Sequence, residues 1–246
     1  MGAGGEAVTF SSGPDRVQGY LARPEGPGPF PALVVVHEIH GLTEHIRDVG
    51  RRFAAEGYVG LAPDLYSREG PPPRQALADA PARNAFIASL PDRRLVGDVQ
   101  ASAAFLRTLP EVRRDRVGAV GFCMGGTVTL LSACHTPDLA AAVVFYGGRL
   151  IYKEITERKP ASPVDLVGHI QCPILCLYGG ADASIPLPDI ERLRDTLEKH
   201  RKTFEFKIYP GAPHAFFNDT REFYRPEEAH DAWQRTLRFL EKHLRH

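Results

Sequence analysis

The sequence predicts an α/β fold, a mostly parallel central sheet with helices on both faces, and three observations carry that expectation. Residues 32–36, Ala-Leu-Val-Val-Val, form a continuous apolar and largely β-branched run, as a strand buried on both faces requires. From there to the C-terminus strand-like and helix-like stretches alternate, the order of a βαβ sheet rather than of a sandwich or a bundle. Gly-containing turns follow several of the strand-like runs, and an open parallel sheet binds its ligands at the carboxyl ends of its strands.

The elements follow in order. Residues 8–10 and 17–22 flank the turn-forming Ser11-Ser12-Gly13-Pro14-Asp15 and predict two short antiparallel strands at one edge. A Pro- and Gly-rich stretch, 24–31, leads into the central strand at 32–36. A helix is expected near 45–56, a strand near 58–62, a helix near 92–108, a strand at 116–120, and a helix after Cys123. Strands at 141–146, 174–178 and 204–209 and helices near 188–200 and 226–244 complete the series. In the last helix Ala229, Trp233, Leu237, Leu240 and Leu244 recur at spacings of three and four, behind a Pro226-Glu227-Glu228 start that suits a helix N-terminus. Residues 66–91, rich in Pro, Ala and Arg, interrupt this order and are expected to be an insertion at the rim of the site. With no internal repeat and no linker-like tract, residues 1–246 are expected to form one domain.

Composition narrows the partners. Thirty basic and thirty acidic side chains leave no net charge, and no long block of one sign points to nucleic acid or to a membrane surface. A small molecule is the expected ligand, bound by a monomer or small homo-oligomer. The N-terminal tract has no basic segment followed by an apolar one, and no run approaches the length of a membrane span, so a cytoplasmic protein is expected. Four cysteines, Cys123, Cys134, Cys172 and Cys176, are too few for a disulfide scaffold and fit a reducing compartment. Cys172 and Cys176 have no matching His or Cys pair at zinc spacing, so neither a metal nor an organic cofactor is expected.

The strand expected at 116–120 runs into Gly121-Phe122-Cys123-Met124-Gly125-Gly126. This is a Gly-x-nucleophile-x-Gly elbow with Cys in place of Ser: the glycines keep side chains out of a tight turn, and the reactive atom is held above the sheet. The N–H groups opening the next helix favour negative charge on the sulfur and on an oxyanion beside it. An ordinary buried thiol is the competing reading, and the strand-turn-helix context outweighs it. A phosphate-cradling loop is disfavoured, because the spacing is not Gly-x-Gly-x-x-Gly and no acidic residue follows the next strand at the required distance.

In such a fold the acid and the histidine follow late strands, in that order. Gly179-Gly180-Ala181-Asp182 follows the strand at 174–178, and Pro210-Gly211-Ala212-Pro213-His214 follows the strand at 204–209. His214 can take the thiol proton and later activate water, while Asp182 orients the imidazole and stabilises its charged form. His135, His169, His200, His230, His243 and His246 are read as surface histidines, and position alone separates His214 from them. Asp182 competes with a turn-residue reading, in which it bonds its own backbone.

These residues resemble the dienelactone hydrolase family, a cysteine-nucleophile branch of the α/β-hydrolase fold that includes carboxymethylenebutenolidase-like proteins. The likeness covers nearly the whole chain. It rests on His37-Glu38-Ile39-His40-Gly41, the Cys123 elbow, Gly179-Gly180-Ala181-Asp182 and Pro213-His214-Ala215-Phe216-Phe217. The resemblance implies a Cys123, Asp182 and His214 triad, a Glu38 that contacts the thiol or helps deprotonate it, and an oxyanion hole from the backbone N–H groups of Ile39 and Met124. Glu38 also stands directly after a buried apolar run, which independently favours a role in the cleft. Relatives that take a carboxylated diene lactone carry arginine four residues after the histidine, where this chain has Asn218. Arg83 is the candidate for a second arginine of that clamp, and His40 replaces an aromatic residue frequent in relatives. The Phe216-Phe217-Asn218-Asp219 pattern is shared with broad esterase-like members. His40, Arg83, Phe216 and Asn218 are therefore the expected substrate contacts.

Thiol chemistry narrows the substrate further. A thiolate is a good leaving group and is expelled from a tetrahedral intermediate unless the other leaving group is at least as good. Enol lactones, aryl esters and thioesters fit better, and amides are poor candidates. The expected function is hydrolysis of activated esters or lactones through a thioacyl-enzyme. The alternatives are a broad carboxylesterase or thioesterase on the same triad and, outside enzymes, a non-catalytic thiol-based binding or redox-sensing module.

Overall fold

Residues 32–36 do occupy the middle of a sheet: in the computed structural model, which describes residues 4–245, each of them is fully buried. Residues 1–3, which open the tract inspected for a leader, and His246 lie outside the described residues. In chain order the strands are β1 (Gly5–Ser12), β2 (Asp15–Ala22), β3 (Phe30–Val36), β4 (Val59–Pro63), β5 (Val112–Phe122), β6 (Ala142–Phe145), β7 (Ile174–Gly179) and β8 (Phe204–Tyr209). They form one sheet in the order β1-β2-β4-β3-β5-β6-β7-β8. β2 pairs antiparallel with both β1 and β4, and every other pairing is parallel. The expected edge hairpin and the expected parallel core are both present. This is the α/β-hydrolase fold, with helices on both faces.

The helices are α1 (Glu44–Ala55), α2 (Ala80–Ser89), α3 (Asp92–Leu106), α4 (Met124–His135), a short α5 (Pro163–Leu166), α6 (Leu187–Lys199) and α7 (Pro226–Leu240). Glycines on β5 show how the layers are arranged. A Cβ on Gly118 would meet Leu244 just beyond α7, whereas a Cβ on Gly121 would meet the backbone of α4. Residues three apart on a strand point to opposite faces, so these two helices cover opposite sides of the sheet. Phe53 of α1 packs on Trp233 of α7 with ring centroids 4.7 Å apart, which puts α1 on the α7 side.

Three elements differ from expectation. β5 begins at Val112 rather than at 116, because Val112 pairs with Phe30; the intervening Arg113-Arg114-Asp115-Arg116 lies outside the buried core, so its charge hides the strand. The segment at 66–91 contains α2, capped by the Asp79 side chain, which accepts from the Ala82 N–H at 2.8 Å, with Pro81 in its first turn. The C-terminal helix ends at Leu240 and continues as a wider π turn over Glu241–Arg245, which keeps Leu244 fully buried.

Candidate active site

β3, β5, β6, β7 and β8 are mutually parallel, so their carboxyl ends share one edge of the sheet. Glu38 lies just beyond β3, Cys123 just beyond β5, Asp182 beyond β7 and His214 beyond β8. Residues 176 positions apart in sequence are thereby brought to one cleft by strand register alone.

Cys123 sits at φ 55° and ψ −119°, a left-handed conformation that a residue with a Cβ adopts only at a cost of about 1–3 kcal/mol. Its neighbours impose that turn. A Cβ on Gly121 would land on the Gly125 carbonyl oxygen, one on Gly125 would land on the Val36 carbonyl oxygen, and one on Gly126 would come within 2.6 Å of the Phe145 oxygen. The glycines thus let α4 start hard against the ends of β3, β5 and β6. The Cys123 N–H donates to the Phe145 carbonyl at 3.1 Å, and the thiol is half-buried. Cys134, Cys172 and Cys176 are buried, and burial pushes their thiols upward, Cys134 to about 12 and Cys172 to about 11.

His214 Nδ1 lies 2.6 Å from Asp182 Oδ2, and the imidazole is also within hydrogen-bonding reach of the Cys123 sulfur. Asp182 is fixed in turn, its other oxygen accepting the Ser184 N–H at 2.7 Å. Burial by itself would lower the His214 pKa; the adjacent Cys123 sulfur and the Asp182 carboxylate outweigh it and hold the imidazole well above its ordinary value. Tyr146 packs edge-on against the His214 ring at 5.2 Å, and its buried hydroxyl has no partner among the described residues. Burial, with the nearby charges of Glu38, Cys123 and Asp182, keeps that hydroxyl protonated.

The loop after β3 is equally constrained. His37 is fully buried; its Nε2 accepts the Leu65 N–H at 3.1 Å, so Nδ1 carries the proton and donates it to the Glu38 carbonyl at 2.6 Å. The Tyr66 hydroxyl donates to the Ile39 carbonyl at 3.0 Å and touches the Met124 sulfur at 3.4 Å. The Ile39 N–H has no protein acceptor among the described residues, and the Met124 N–H, as the first of α4, has none within its helix. The buried Glu38 side chain accepts from Asn218 Nδ2 at 2.8 Å through Oε2, while Oε1 has no partner among the described residues.

A cavity of about 700 Å³ opens over these groups. Cys123, His214, Glu38, Ile39 and Met124 line it, as do the expected substrate contacts His40 and Arg83. Phe216 and Asn218, also expected as substrate contacts, are not among the residues that line it. Phe216 is fully buried between Tyr146 and Tyr209, and Asn218 is turned inward, donating to Glu38 and accepting from Thr220. Leu77, Ala80, Asn84 and Ile87 join Arg83 in the lining, so the 66–91 segment contributes one wall. Asp92, Arg149, Tyr152 and Lys159 also line it and were not read from the sequence, nor were Tyr66 and Tyr146 beside the triad. Position was the available signal for Tyr146 and Arg149, which follow the carboxyl end of β6. Among the described residues, no group of three or more His, Cys, Asp and Glu is placed to hold a metal ion, and no helix is long and apolar enough to cross a membrane.

Comparison with known proteins gives a consistent result. The model of the dienelactone hydrolase family matches residues 17–244. A protein of Escherichia coli (strain K12), provisionally named a carboxymethylenebutenolidase, is 40% identical over 232 residues, covering 93% of this chain and 83% of its own length. A Bradyrhizobium sp. protein described as a probable 2-oxo-3-(5-oxofuran-2-ylidene)propanoate lactonase is 39% identical over 225 residues, 92% of this chain and 89% of the relative. The crystal structure of a provisionally named dienelactone hydrolase from Klebsiella pneumoniae subsp. pneumoniae MGH 78578 superposes with a TM-score of 0.90 at 37% identity, covering 98% of this chain and all of that one.

Proposed function

This chain belongs to the dienelactone hydrolase family and is a hydrolase of lactone or ester bonds, and we propose that it works through Cys123, His214 and Asp182 by way of a thioacyl-enzyme. The observation that carries the proposal is the strained elbow of Cys123, with the His214 imidazole in reach of its sulfur and bonded on the far side to Asp182. The thiol proton passes to His214 as the sulfur attacks the substrate carbonyl carbon. The resulting oxyanion accepts from the free N–H groups of Ile39 and Met124, which cost no reorganisation at the moment of reaction. Collapse breaks the carbon–oxygen bond, and His214 returns the proton to the departing oxygen. In a lactone that oxygen stays tethered to the acyl group. Water, deprotonated by His214, then attacks the thioester and restores the Cys123 thiol.

Glu38 is assigned to the same machinery. Its Oε1, without a partner among the described residues, gives the cavity wall one buried acceptor able to take a hydrogen bond from the Cys123 thiol before substrate arrives. Tyr66 holds the Ile39 peptide in place and is a positioning residue. The substrate class is an activated carbonyl, an enol lactone or an ester with a stabilised leaving anion, since a thiolate must be the poorer leaving group for acylation to proceed. A carboxylesterase or thioesterase preference would use the same residues. A sensor role for Cys123 is disfavoured by a base, an orienting acid and two free backbone donors around one sulfur.

Rapid-quench mass spectrometry with a mixed panel of lactones, aryl esters and thioesters tests this reading. An acyl adduct on Cys123 that forms and decays with wild-type turnover, and whose formation is slowed in His214→Ala, is expected. Wild-type turnover by Cys123→Ala would refute the mechanism, and reversible oxidation without any adduct would favour the sensor.

A further inference from the structure

β8 closes the sheet on the side away from the β1–β2 hairpin, and no strand pairs with its outer edge among the described residues. Its sequence, Phe204-Glu205-Phe206-Lys207-Ile208-Tyr209, alternates three apolar side chains with a glutamate, a lysine and a tyrosine. Every residue of the neighbouring β7 is buried, whereas Phe204, Phe206 and Ile208 of β8 remain half-buried. An apolar strand with an open edge is a template for a further strand.

The ladder with β7 fixes which backbone groups are open. The Ile174 N–H donates to the Thr203 carbonyl at 3.0 Å, and the Gly180 N–H donates to the Tyr209 carbonyl at 2.7 Å. Every second residue of a strand faces the same neighbour, so Glu205 and Lys207, which lie between those two, also bond toward β7. The N–H and C=O groups of Phe204, Phe206 and Ile208 therefore point outward, and no turn or loop backbone bonds them among the described residues. Side chains follow the same alternation. Glu205, Lys207 and Tyr209 share the face toward α7, where the Tyr209 hydroxyl donates to Asp231 at 2.8 Å. Phe204, Phe206 and Ile208 share the other face, where Phe206 stacks on Tyr178 at 5.6 Å.

A second copy related by a twofold axis sets β8 antiparallel to itself, and symmetry then allows few registers. Outward-facing residues must meet outward-facing residues to exchange both hydrogen bonds. With the axis at Phe206, that residue meets its own copy, Phe204 meets Ile208, and Glu205 meets Lys207 on either side. Moving the axis by one residue sets Glu205 against Glu205 or Lys207 against Lys207. Opposite charges and aromatic pairs directly across a ladder are favourable, and like charges are not, so charge selects the register centred on Phe206. β1, at the far edge, carries one charged residue, Glu6, and can match no opposite charges in this way.

Neither charge of β8 is strongly held within its own chain. Lys242 lies 3.8 Å from the exposed Glu205. The Lys207 ammonium sits over the Tyr209 ring, 5.3 Å from its centroid, and Asp231 on that face already accepts from Arg235 and Tyr209. A lone lysine on an open edge blocks pairing; a lysine two residues from a glutamate favours one partner, its own copy.

We propose that two copies of this chain pair edge to edge through β8, antiparallel and centred on Phe206, so that one continuous sheet runs through a closed dimer. The pairing uses the open β8 edge of both copies and stops at two in that direction. It is independent of the role of Cys123, whose cavity lies at the carboxyl ends of the strands.

Sedimentation velocity of the full chain across a dilution series tests the pairing, and the wild type is expected to reach twice the monomer mass. Lys207→Glu sets glutamate against glutamate at both symmetry-related positions and should weaken the dimer about tenfold or more. Glu205→Lys should do the same with lysines. The double variant Glu205→Lys/Lys207→Glu restores opposite charges and should restore the dimer. An equimolar mixture of the two single variants should form a heterodimer tighter than either homodimer, because each strand then carries one sign. Arg16→Glu, at an exposed position on β2, controls for net charge and should leave the mass as it is. Hydrogen exchange reads the same edge in the wild type, without any substitution: the amides of Phe204, Phe206 and Ile208 should gain protection as concentration rises. A wild type that stays monomeric at every concentration, or a dimer indifferent to Lys207→Glu, would overturn the pairing. So would a double variant that is folded by circular dichroism yet fails to recover the dimer, or a dimer whose three β8 amides stay unprotected.

Discussion

Asp182→Asn isolates the part of the site that sets which nitrogen of His214 is free. Asp182 Oδ1 accepts the Ser184 N–H at 2.7 Å, so the amide oxygen of the variant keeps that bond and its NH₂ faces His214 Nδ1. Nδ1 must then accept, the ring proton moves to Nε2, and the nitrogen facing Cys123 can no longer take the thiol proton. Loss of the general base is worth about 10²–10⁴ in kcat, or roughly 3–5 kcal/mol of activation free energy. Stability changes as well, and in a pH-dependent way. The His214 pKa is raised in the folded state, so the stability it contributes is complete below its ordinary value of 6.5 and is lost as pH rises through the folded-state value. Asp182, whose side chain is fully buried, supplies part of that contribution through a charge-assisted bond worth about 1.5–3 kcal/mol. The variant should therefore melt roughly 3–10 °C below wild type at mildly acid pH, with a smaller deficit at alkaline pH. Stopped-flow hydrolysis of an aryl ester and scanning calorimetry at two pH values measure both effects. A kcat within about tenfold of wild type, or a melting deficit that does not shrink with rising pH, would refute the tautomer argument.

Asn218→Ala removes the one partner of the buried Glu38 carboxylate among the described residues, and should cost about 1.5–3 kcal/mol in calorimetry together with a loss of kcat. Gly125→Ala drives a methyl group onto the Val36 carbonyl oxygen, backbone against backbone, so a soluble, cooperatively melting protein is not expected by circular dichroism. Tyr66→Phe frees the Ile39 carbonyl from its hydrogen bond, costs about 1 kcal/mol of stability, and should lower kcat more than it raises KM. Brief alkylation with iodoacetamide at mildly alkaline pH should label Cys123 alone in peptide mass mapping, because Cys134, Cys172 and Cys176 are buried with raised pKa values.

Local chemistry made most of the architecture legible. The β-branched run at 32–36, the Gly-bracketed Cys123 and the acid and histidine after late strands each have a cause that acts within a few residues. The Arg113-Arg114-Asp115-Arg116 stretch was illegible as strand because its pairing with β3 is long-range and its side chains are charged. α2 was missed for a different reason: its Pro-rich surroundings masked a cap, Asp79, that the sequence does contain. Among the candidate contacts, His40 and Arg83 reach the cavity, whereas Phe216 and Asn218 turn away from it. Adjacent residues in an irregular loop face different ways, and periodicity offers no guide there.

The sequence by itself determined a parallel sheet, the turn on which Cys123 sits and the loops that carry Asp182 and His214, because strand propensity and glycine sterics are local properties. Tertiary structure alone decided the rest of the cavity. Only folding pairs Glu38 with Asn218, sets Tyr66 on the Ile39 peptide, and buries Lys159 against Asp92, which also accepts from Tyr152. Those contacts join residues 27 to 180 positions apart, and their strength comes from burial, which no single segment can supply.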